Sequence, residues 1–428
     1  MAQRAQPALA TTDVFQKGDI HWKQFNVETS TASSSPPKPL LIFTPTVPGL
    51  YPVILFCHGF CIRTSYYSKL LAHIVSHGFI LVAPQLFSIG VPMFGPEEVK
   101  CEGRVVDWLD NGLQPLLPES VEAKLEKLVL VGHSKGGKTA FAVALGYCKT
   151  KLKFSALIGI DPVAGVSKCK PCRSLPDILT GVPRSFNLNI PVAVIGTGLG
   201  PEKANSLFPP CAPNGVNHKE FFSECKPPSA YFVATDYGHM DMLDDETPGV
   251  IGTMMSKCMC KNGKKGPRDL MRRTVGGLVV AFLRAQLNEQ WKDFDAILAS
   301  PNLAPAKLDD RAQPVLATTD VFQKGDIHWK QFNVETSTAS SSPPKPLLIF
   351  TPAVPGSYPF CNVFACVGPS QIKFAGKVVD WLVEGFQPLL LENVKAKLEK
   401  LVLSGHGGKT AFAVALDHAK QTSNFQHS

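Results

Sequence analysis

Ser134 stands in the run Gly132-His133-Ser134-Lys135-Gly136-Gly137. The apolar Leu128-Val-Leu-Val131 precedes it, and a helical pattern over Lys138–Leu145 follows. G-x-S-x-G between a strand and a helix is the spacing of a nucleophile elbow. The sharp turn strains the backbone at the serine and lifts its hydroxyl above the sheet edge. Gly132 and Gly136 omit the Cβ atoms that strand and helix would press together, and Gly137 eases the helix start. The helix N-terminus favours the negative charge that develops when an acyl carbon is attacked. A serine used in this way needs hydrogen-bond donors for the oxyanion, a base, and an acid to orient the base.

Candidates for each follow along the chain. Ile54-Leu-Phe-Cys-His58-Gly59-Phe60 reads as a buried strand running into a loop, and in elbow hydrolases that loop supplies one backbone donor. The backbone N–H groups of Phe60 and Lys135 are therefore the expected pair, each worth roughly 3–4 kcal/mol of transition-state stabilisation. His58 is expected to shape the loop. For the base, His239 follows the strand-like Tyr231–Ala234, with Gly238 before it to free the backbone. His73 and His77 lie on a helix before the nucleophile, and His133 must point away from its neighbour. His218 lies on a polar loop with no strand before it. The acid stays open between two residues. Asp161 ends the strand Ala156–Ile160, at the carboxyl edge of the sheet where a site lies. Glu202 follows the next strand, the more common place for an acid. Asp236 and Asp241 are too near His239 in sequence, and with Asp244 and Asp245 they are expected to cap and solvate the loop. The order serine, acid, histidine holds with either choice.

The elements needed to position these residues are legible. Short apolar runs at 39–43, 52–57, 79–83, 127–131, 154–160, 191–195 and 231–234 read as strands. Helical patterns at 66–76, 97–109, 138–145 and 268–287 alternate with most of them. Strands that are apolar throughout predict an α/β fold with a mostly parallel central sheet and helices on both faces, the α/β-hydrolase arrangement. The Ser- and Pro-rich stretch 30–39 should be exposed.

Composition bounds the remaining choices. The 428 residues are 44% hydrophobic, 18% charged and carry a formal charge of +8. Lys and Arg are scattered. Their densest cluster, Lys261–Arg273 with Lys264, Lys265, Arg268 and Arg272, reads first as a solvated face and second as a contact for an acidic membrane surface. No aromatic interleaving accompanies it, so no nucleic-acid partner is expected. No apolar run reaches the ~18 residues of a membrane span, so membrane contact would be peripheral. Twelve cysteines are too few for a disulfide scaffold of this length. Reduced thiols are the expectation, with zinc on Cys169, Cys172, Cys258 and Cys260 as the alternative. The N-terminus has no charged and then apolar leader, which argues against secretion. Carrying Asp13 and only Arg4 before Lys17, it is also a poor transit peptide.

The chain repeats itself. Residues 311–359 copy 4–52 except at Ala8/Val315, Thr46/Ala353 and Leu50/Ser357. Val105-Val-Asp-Trp108 recurs as Val378-Val-Asp-Trp381, and Lys124-Leu-Glu-Lys127 as Lys397-Leu-Glu-Lys400. The stretch 57–100 has no counterpart, and the strands at 54–57 and 79–83 are expected to be missing from the copy. The reading is a complete catalytic domain, 1–310, followed by a degenerate and inert partial repeat, 311–428.

Several segments are more specific than the elbow. Gly132–Gly137, Ser76-His-Gly-Phe-Ile-Leu-Val-Ala-Pro-Gln85, Ile158-Gly-Ile-Asp-Pro-Val-Ala-Gly165 and Asp236-Tyr-Gly-His-Met-Asp-Met-Leu-Asp-Asp245 resemble the plant chlorophyllases. So do Pro209-Pro-Cys-Ala-Pro213, Asn217-His-Lys-Glu-Phe221 and Met271-Arg-Arg. The likeness covers roughly residues 15–310. It implies a serine esterase that cleaves the phytyl ester of chlorophyll, with Ser134, Asp161 and His239 as its triad, which favours Asp161 over Glu202. It implies no metal and no organic cofactor, a small-molecule substrate, and a chloroplast location in preference to cytosol or endomembrane. Met240, Met242, Phe60 and Phe87 are candidates for an apolar pocket. Lys135 departs from the family's usual Arg, and the repeat is a second departure. A general carboxylesterase or lipase, and a non-catalytic pigment or lipid carrier, are the other readings; a complete triad argues against the carrier.

Overall fold

The computed structural model describes residues 12–86, 95–169, 172–263 and 267–309, and beyond them the backbone of strands within 314–405. Phe87, Lys264 and Lys265 lie outside the described residues. The first compact unit runs to Thr318. Its strands are β1 (Trp22–Val27), β2 (Leu40–Pro45), β3 (Gly49–Cys57), β4 (Ile80–Pro84), β5 (Val121–His133), β6 (Ala156–Ile160), β7 (Val192–Thr197), β8 (Ser229–Ala234) and β9 (Pro314–Val315). They lie in the order β1-β2-β4-β3-β5-β6-β7-β8-β9. From β4 to β8 every neighbour is parallel; β1, β2 and β9 are antiparallel to theirs. This is the α/β-hydrolase fold.

The helices are α1 (Ser68–Val75), α2 (Pro96–Gly112), α3 (Lys135–Ala144), α4 (His218–Glu224), α5 (Val250–Thr253), α6 (Arg268–Asn288) and α7 (Lys292–Ala299). Side chains alternate across the sheet and both sets are buried. Ile54 and Phe56 of β3 enter one core with Leu70, Val279 and Phe282 from α1 and α6. Val53, Leu55 and Cys57 enter the other with Val105 and Phe141 from α2 and α3. A strand covered on both faces therefore reads as one continuous apolar run. Strand β1 escaped that signal because it is an edge strand, with Lys23, Gln24 and Asn26 exposed. Among the described residues no helix is long and apolar enough to cross a membrane.

At the far edge of the sheet the first unit runs past the expected boundary near Asp310, because Leu308 bridges Ala234 and β9 pairs with Ser229 and Ala230. Residues from the start of the repeat thus cover the open side of β8. In the second unit, β10 (Trp329–Val334) pairs with β11 (Leu347–Pro352) in the register of β1 and β2. There β12 (Gly356–Phe364) lies parallel to β13 (Val394–Gly405), as β3 lies beside β5. The copy therefore keeps a strand in the place of β3. Its sequence past Pro359 has changed, which hid the correspondence, but nine residues of extended chain remain. The expected loss of the β4 strand from the copy falls on residues outside those described.

The expectation of reduced thiols holds for Cys57, Cys61, Cys101, Cys148, Cys225 and Cys258 and fails for four others. Cys169 pairs with Cys172, and Cys211 with Cys260. Cys260 was counted with Cys258 because they are neighbours in sequence. The fold instead brings Cys260 against the Pro-rich loop at Cys211, a contact that sequence spacing does not reveal.

Candidate active site

Strand β5 runs without pause into α3, and Ser134 is the hinge between them, with φ 58° and ψ −126°. The left-handed region is costly for a residue with a Cβ, and such strain concentrates at functional sites. A methyl group at Gly132 would strike the main chain of Gly136, and one at Gly136 would strike the carbonyls of Cys57 and His58. The elbow thus closes only with glycine at both positions. The Ser134 N–H donates to the Ile160 carbonyl at 3.0 Å, which ties the turn to β6.

Three side chains from three loops meet there. His239 Nε2 lies 2.8 Å from Ser134 Oγ, and His239 Nδ1 lies 2.7 Å from Asp161 Oδ2. Asp161 is fully buried, His239 is 1% exposed and Ser134 8%. Asp161 itself has φ 40°. The Thr197 hydroxyl donates to Asp161 Oδ2 at 2.6 Å, and the Thr197 N–H to Oδ1 at 3.2 Å. Burial alone would raise the Asp161 carboxyl. The hydrogen bond and charge of His239, the nearby His218 and the Thr197 hydroxyl outweigh it and hold the group at about 2. Glu202 is exposed on a turn after β7 and is not part of this cluster. The loop where an acid more commonly stands instead sends Thr197 to hold an acid supplied by β6.

His133 turns away from Ser134, as its position required, and links the loops. Its Nε2 meets the His239 carbonyl at 2.9 Å, and its Nδ1 meets the Tyr67 hydroxyl at 2.7 Å. A carbonyl only accepts, so Nε2 carries the proton and Nδ1 accepts from Tyr67. The Tyr67 oxygen in turn accepts the Gly59 N–H at 3.0 Å. One chain of hydrogen bonds therefore joins the loop after β3, the elbow and the histidine loop. Burial and the neighbouring His239 hold the His133 ring at about 3, so it stays neutral.

Gly238 has a role other than the expected one. Its φ is not positive; a Cβ there would run into the Lys261 carbonyl. Asp241, expected to be solvated, is buried. It accepts the N–H groups of Gly238 and Gly263, each at 2.7 Å, and pairs with Arg268 at 3.3 Å. Asp244 is likewise buried and accepts the Lys69 N–H.

Phe60 follows the end of β3, and Lys135 opens α3. Their side chains meet, with Lys135 Nζ 5.5 Å from the Phe60 ring centre, while the same ammonium pairs with the buried Glu98 of α2. Glu98 also accepts the Thr139 hydroxyl at 2.7 Å. His58 is buried with Nδ1 2.8 Å from the Gly59 carbonyl, and its Nε2 accepts the Leu86 N–H, so it shapes the loop. Met240 and Met242 are core residues.

Sequence reasoning missed Thr197, the linking role of His133 and the burial of His218. Thr197 could have been found, since it stands at the end of a strand beside the one that ends in Asp161. The other two depend on which loops the fold brings together.

The sequence model of the family described as chlorophyllase matches residues 10–314, 317–366 and 360–428. Its second and third segments fall in the repeat. The chain is 51% identical over 306 residues to Chlorophyllase-1 of Arabidopsis thaliana, covering 71% of this chain and 93% of that protein. It is 54% identical over 262 residues to Chlorophyllase-2 of the same plant, covering 60% and 80%. To "Chlorophyllase-1, chloroplastic" of Citrus unshiu it is 48% identical over 320 residues, covering 73% and 94%.

Proposed function

Since this chain belongs to the chlorophyllase family, we propose that it is a carboxylic ester hydrolase of the chloroplast that splits chlorophyll into chlorophyllide and phytol. Family membership supports the substrate, and the Citrus relative's name supports the compartment. The observation that carries the chemistry is the continuous contact from Ser134 Oγ through His239 to Asp161, 2.8 and 2.7 Å long.

In this reading Ser134 attacks the ester carbonyl while His239 Nε2 takes its proton. Asp161 keeps the proton of His239 on Nδ1, leaving Nε2 free to accept, and stabilises the imidazolium. The oxyanion rests on the N–H groups of Phe60 and Lys135. The Lys135 ammonium, held by Glu98 and lying over Phe60, keeps these two donors in register. The imidazolium then protonates the departing phytol oxygen, and water, activated by the same histidine, releases the acyl group. The residues of the chain supply every proton transfer. Residues 311–428 take no part, because the Ser-Lys pair of the elbow is absent between His406 and Gly407. Ser404 replaces Val131 within a strand, paired with Val363.

The test is hydrolysis of chlorophyll a by the purified chain, with chlorophyllide read after partition between acetone and hexane, beside a short p-nitrophenyl ester. Chlorophyllide formation that disappears in Ser134→Ala supports the proposal. Cleavage of the nitrophenyl ester alone would make the protein a general carboxylesterase.

A further inference from the structure

The segment Asn217-His218-Lys219-Glu220-Phe221 opens α4, and most of its members have evident structural work. Asn217 and Glu220 form a reciprocal cap, with the Asn217 side chain accepting from Lys219 N–H and Glu220 accepting from Asn217 N–H. Phe221 is fully buried against Phe141 and Phe186. His218 is different. Its ring is 1% exposed, and its Nε2 makes no close hydrogen bond, lies toward the Thr197 main chain and stands 3.9 Å from Asp161 Oδ1. That oxygen is the one His239 does not use.

The ring is held in this pose from two sides. Nδ1 lies 2.7 Å from the Tyr231 hydroxyl, and the imidazole rests on Gly196, where any Cβ would overlap it. A cleft of about 450 Å³ opens beside it, lined by Thr197, Phe222 and Tyr231 among others. The tautomer follows from electrostatics. A lone pair on Nε2 would face a carboxylate, so Nε2 carries the proton and Nδ1 accepts from Tyr231. Burial lowers the ring below the ordinary histidine value, so it acts as a neutral donor.

Building on the triad reading, we propose that His218 is a positioning residue for Asp161: its Nε2–H faces Oδ1 and keeps the carboxylate aligned and anionic while His239 gains and loses its proton. Two imidazoles then flank one acid, with Thr197 between them. The charged and titratable groups around His218 are Asp161, Lys219, Glu220 and Tyr231. Those around His239 are Asp161, Ser134 and the neutral His133.

The test uses the full chain and steady-state kinetics on a p-nitrophenyl ester across pH. His218→Met removes the donor at similar size, whereas His218→Gln places an amide N–H near the old Nε2. With the donor gone, Asp161 is less stabilised and binds protonated His239 more strongly, so the acid limb of kcat/KM moves to higher pH. We expect kcat to fall about tenfold in His218→Met with KM unchanged. His218→Gln should restore both kcat and the limb, and Tyr231→Phe should fall between. If the Gln and Met variants match each other in kcat and acid limb while Ser134→Ala is inert, the His218 role is overturned and the triad stands. Activity in Ser134→Ala would overturn the triad reading itself.

Discussion

Strands β5 and β13 carry almost the same residues, Val121-Glu-Ala-Lys-Leu-Glu-Lys-Leu-Val-Leu-Val-Gly132 against Val394-Lys-Ala-Lys-Leu-Glu-Lys-Leu-Val-Leu-Ser-Gly405. Each lies parallel to a nine-residue partner, β3 or β12, and each ladder shifts register at the same point, after Pro52 or Pro359. The scaffold of the nucleophile is thus a local product of its sequence and survives copying. The site does not survive. In the first region β5 is followed by Ser134 and Lys135, and Asp161 and His239 arrive from 27 and 105 residues further on. In the second region Gly405-His-Gly-Gly408 lacks the Ser-Lys pair that completes the elbow. The strand that leads into the elbow is therefore not enough to make a site. On the proposed mechanism, catalysis needs the loops that bring Asp161 and His239 to Ser134.

The largest effect that would sharpen this contrast is at the hydroxyl. Ser134→Ala should lower kcat for ester hydrolysis by about 10⁶ with an unchanged circular dichroism spectrum. Ser404→Ala, its nearest serine in the copy, should leave kcat at the wild-type value. Loss of activity in the second variant would break the comparison.

The acid comes next. Asp161→Asn should cost about 10⁴ in kcat, chiefly through the wrong histidine tautomer, while Glu202→Gln stays active. Kinetics of the two variants side by side would decide between the acid after β6 and the one after β7.

A smaller effect separates the regions by pH. His58 and His133 are held at about 4 and about 3, in each case first by burial, as is His73 at about 4. Their folded values are depressed, so the unfolded chain takes up protons that the fold refuses. The stability they give is present above the ordinary value near 6.5 and is lost as pH falls toward 4. The slope is about 1.4 kcal/mol per pH unit for each histidine fully titrating. Asp161 works at lower pH: its contribution holds above about 4 and fades as pH falls through about 2. His58 and His73 lie in the stretch absent from the copy. The melting temperature of the first region should therefore fall steeply between pH 6 and pH 4, equally in the full chain and in one ending at Thr318. A flat profile there would mean that these rings charge within the fold.

The smallest effect concerns β9. A chain ending at Asp310 should keep the kcat of the full chain, and residues 319–428 alone should show none. Ending at Asp310 in place of Thr318 exposes the edge of β8, so melting should drop by the equivalent of about 1 kcal/mol. A large loss of activity on truncation would mean that the copy supports the site.

Much of this was legible because it is local. Buried strands on a doubly covered sheet are continuous apolar runs, and the elbow is a contiguous motif. Their bounds fell within a few residues, although β5 begins six residues earlier than expected, its outer half being polar and half-exposed. Ser134 and His239 could be placed because each follows a recognisable strand. Spacing alone left Asp161 and Glu202 unresolved, and the family resemblance tipped the balance. In the fold the loops after β6 and β7 lie side by side, and Thr197 of the second donates to Asp161 of the first. Sequence does not carry such facts about neighbouring loop ends. The same reason hid the Cys211–Cys260 pair, the His218 contact and the attachment of β9.

The repeat has a further consequence, for the order of events during folding. The chain contains two identical copies of the hairpin that borders β4: Trp22–Val27 with Leu40–Pro45, and Trp329–Val334 with Leu347–Pro352. The edge of β4 cannot distinguish them by composition. Only chain length does, with roughly 35 residues between β2 and β4 against roughly 260 between β4 and β11. Loop closure grows with the logarithm of length, so the nearer copy is favoured by only about 2 kcal/mol. Synthesis from the N-terminus adds a second preference, because the nearer hairpin exists before its rival has left the ribosome. A chain diluted from denaturant loses that advantage. The vacancy beside β4 is then contested, and some molecules must release the distant hairpin before the near one can enter.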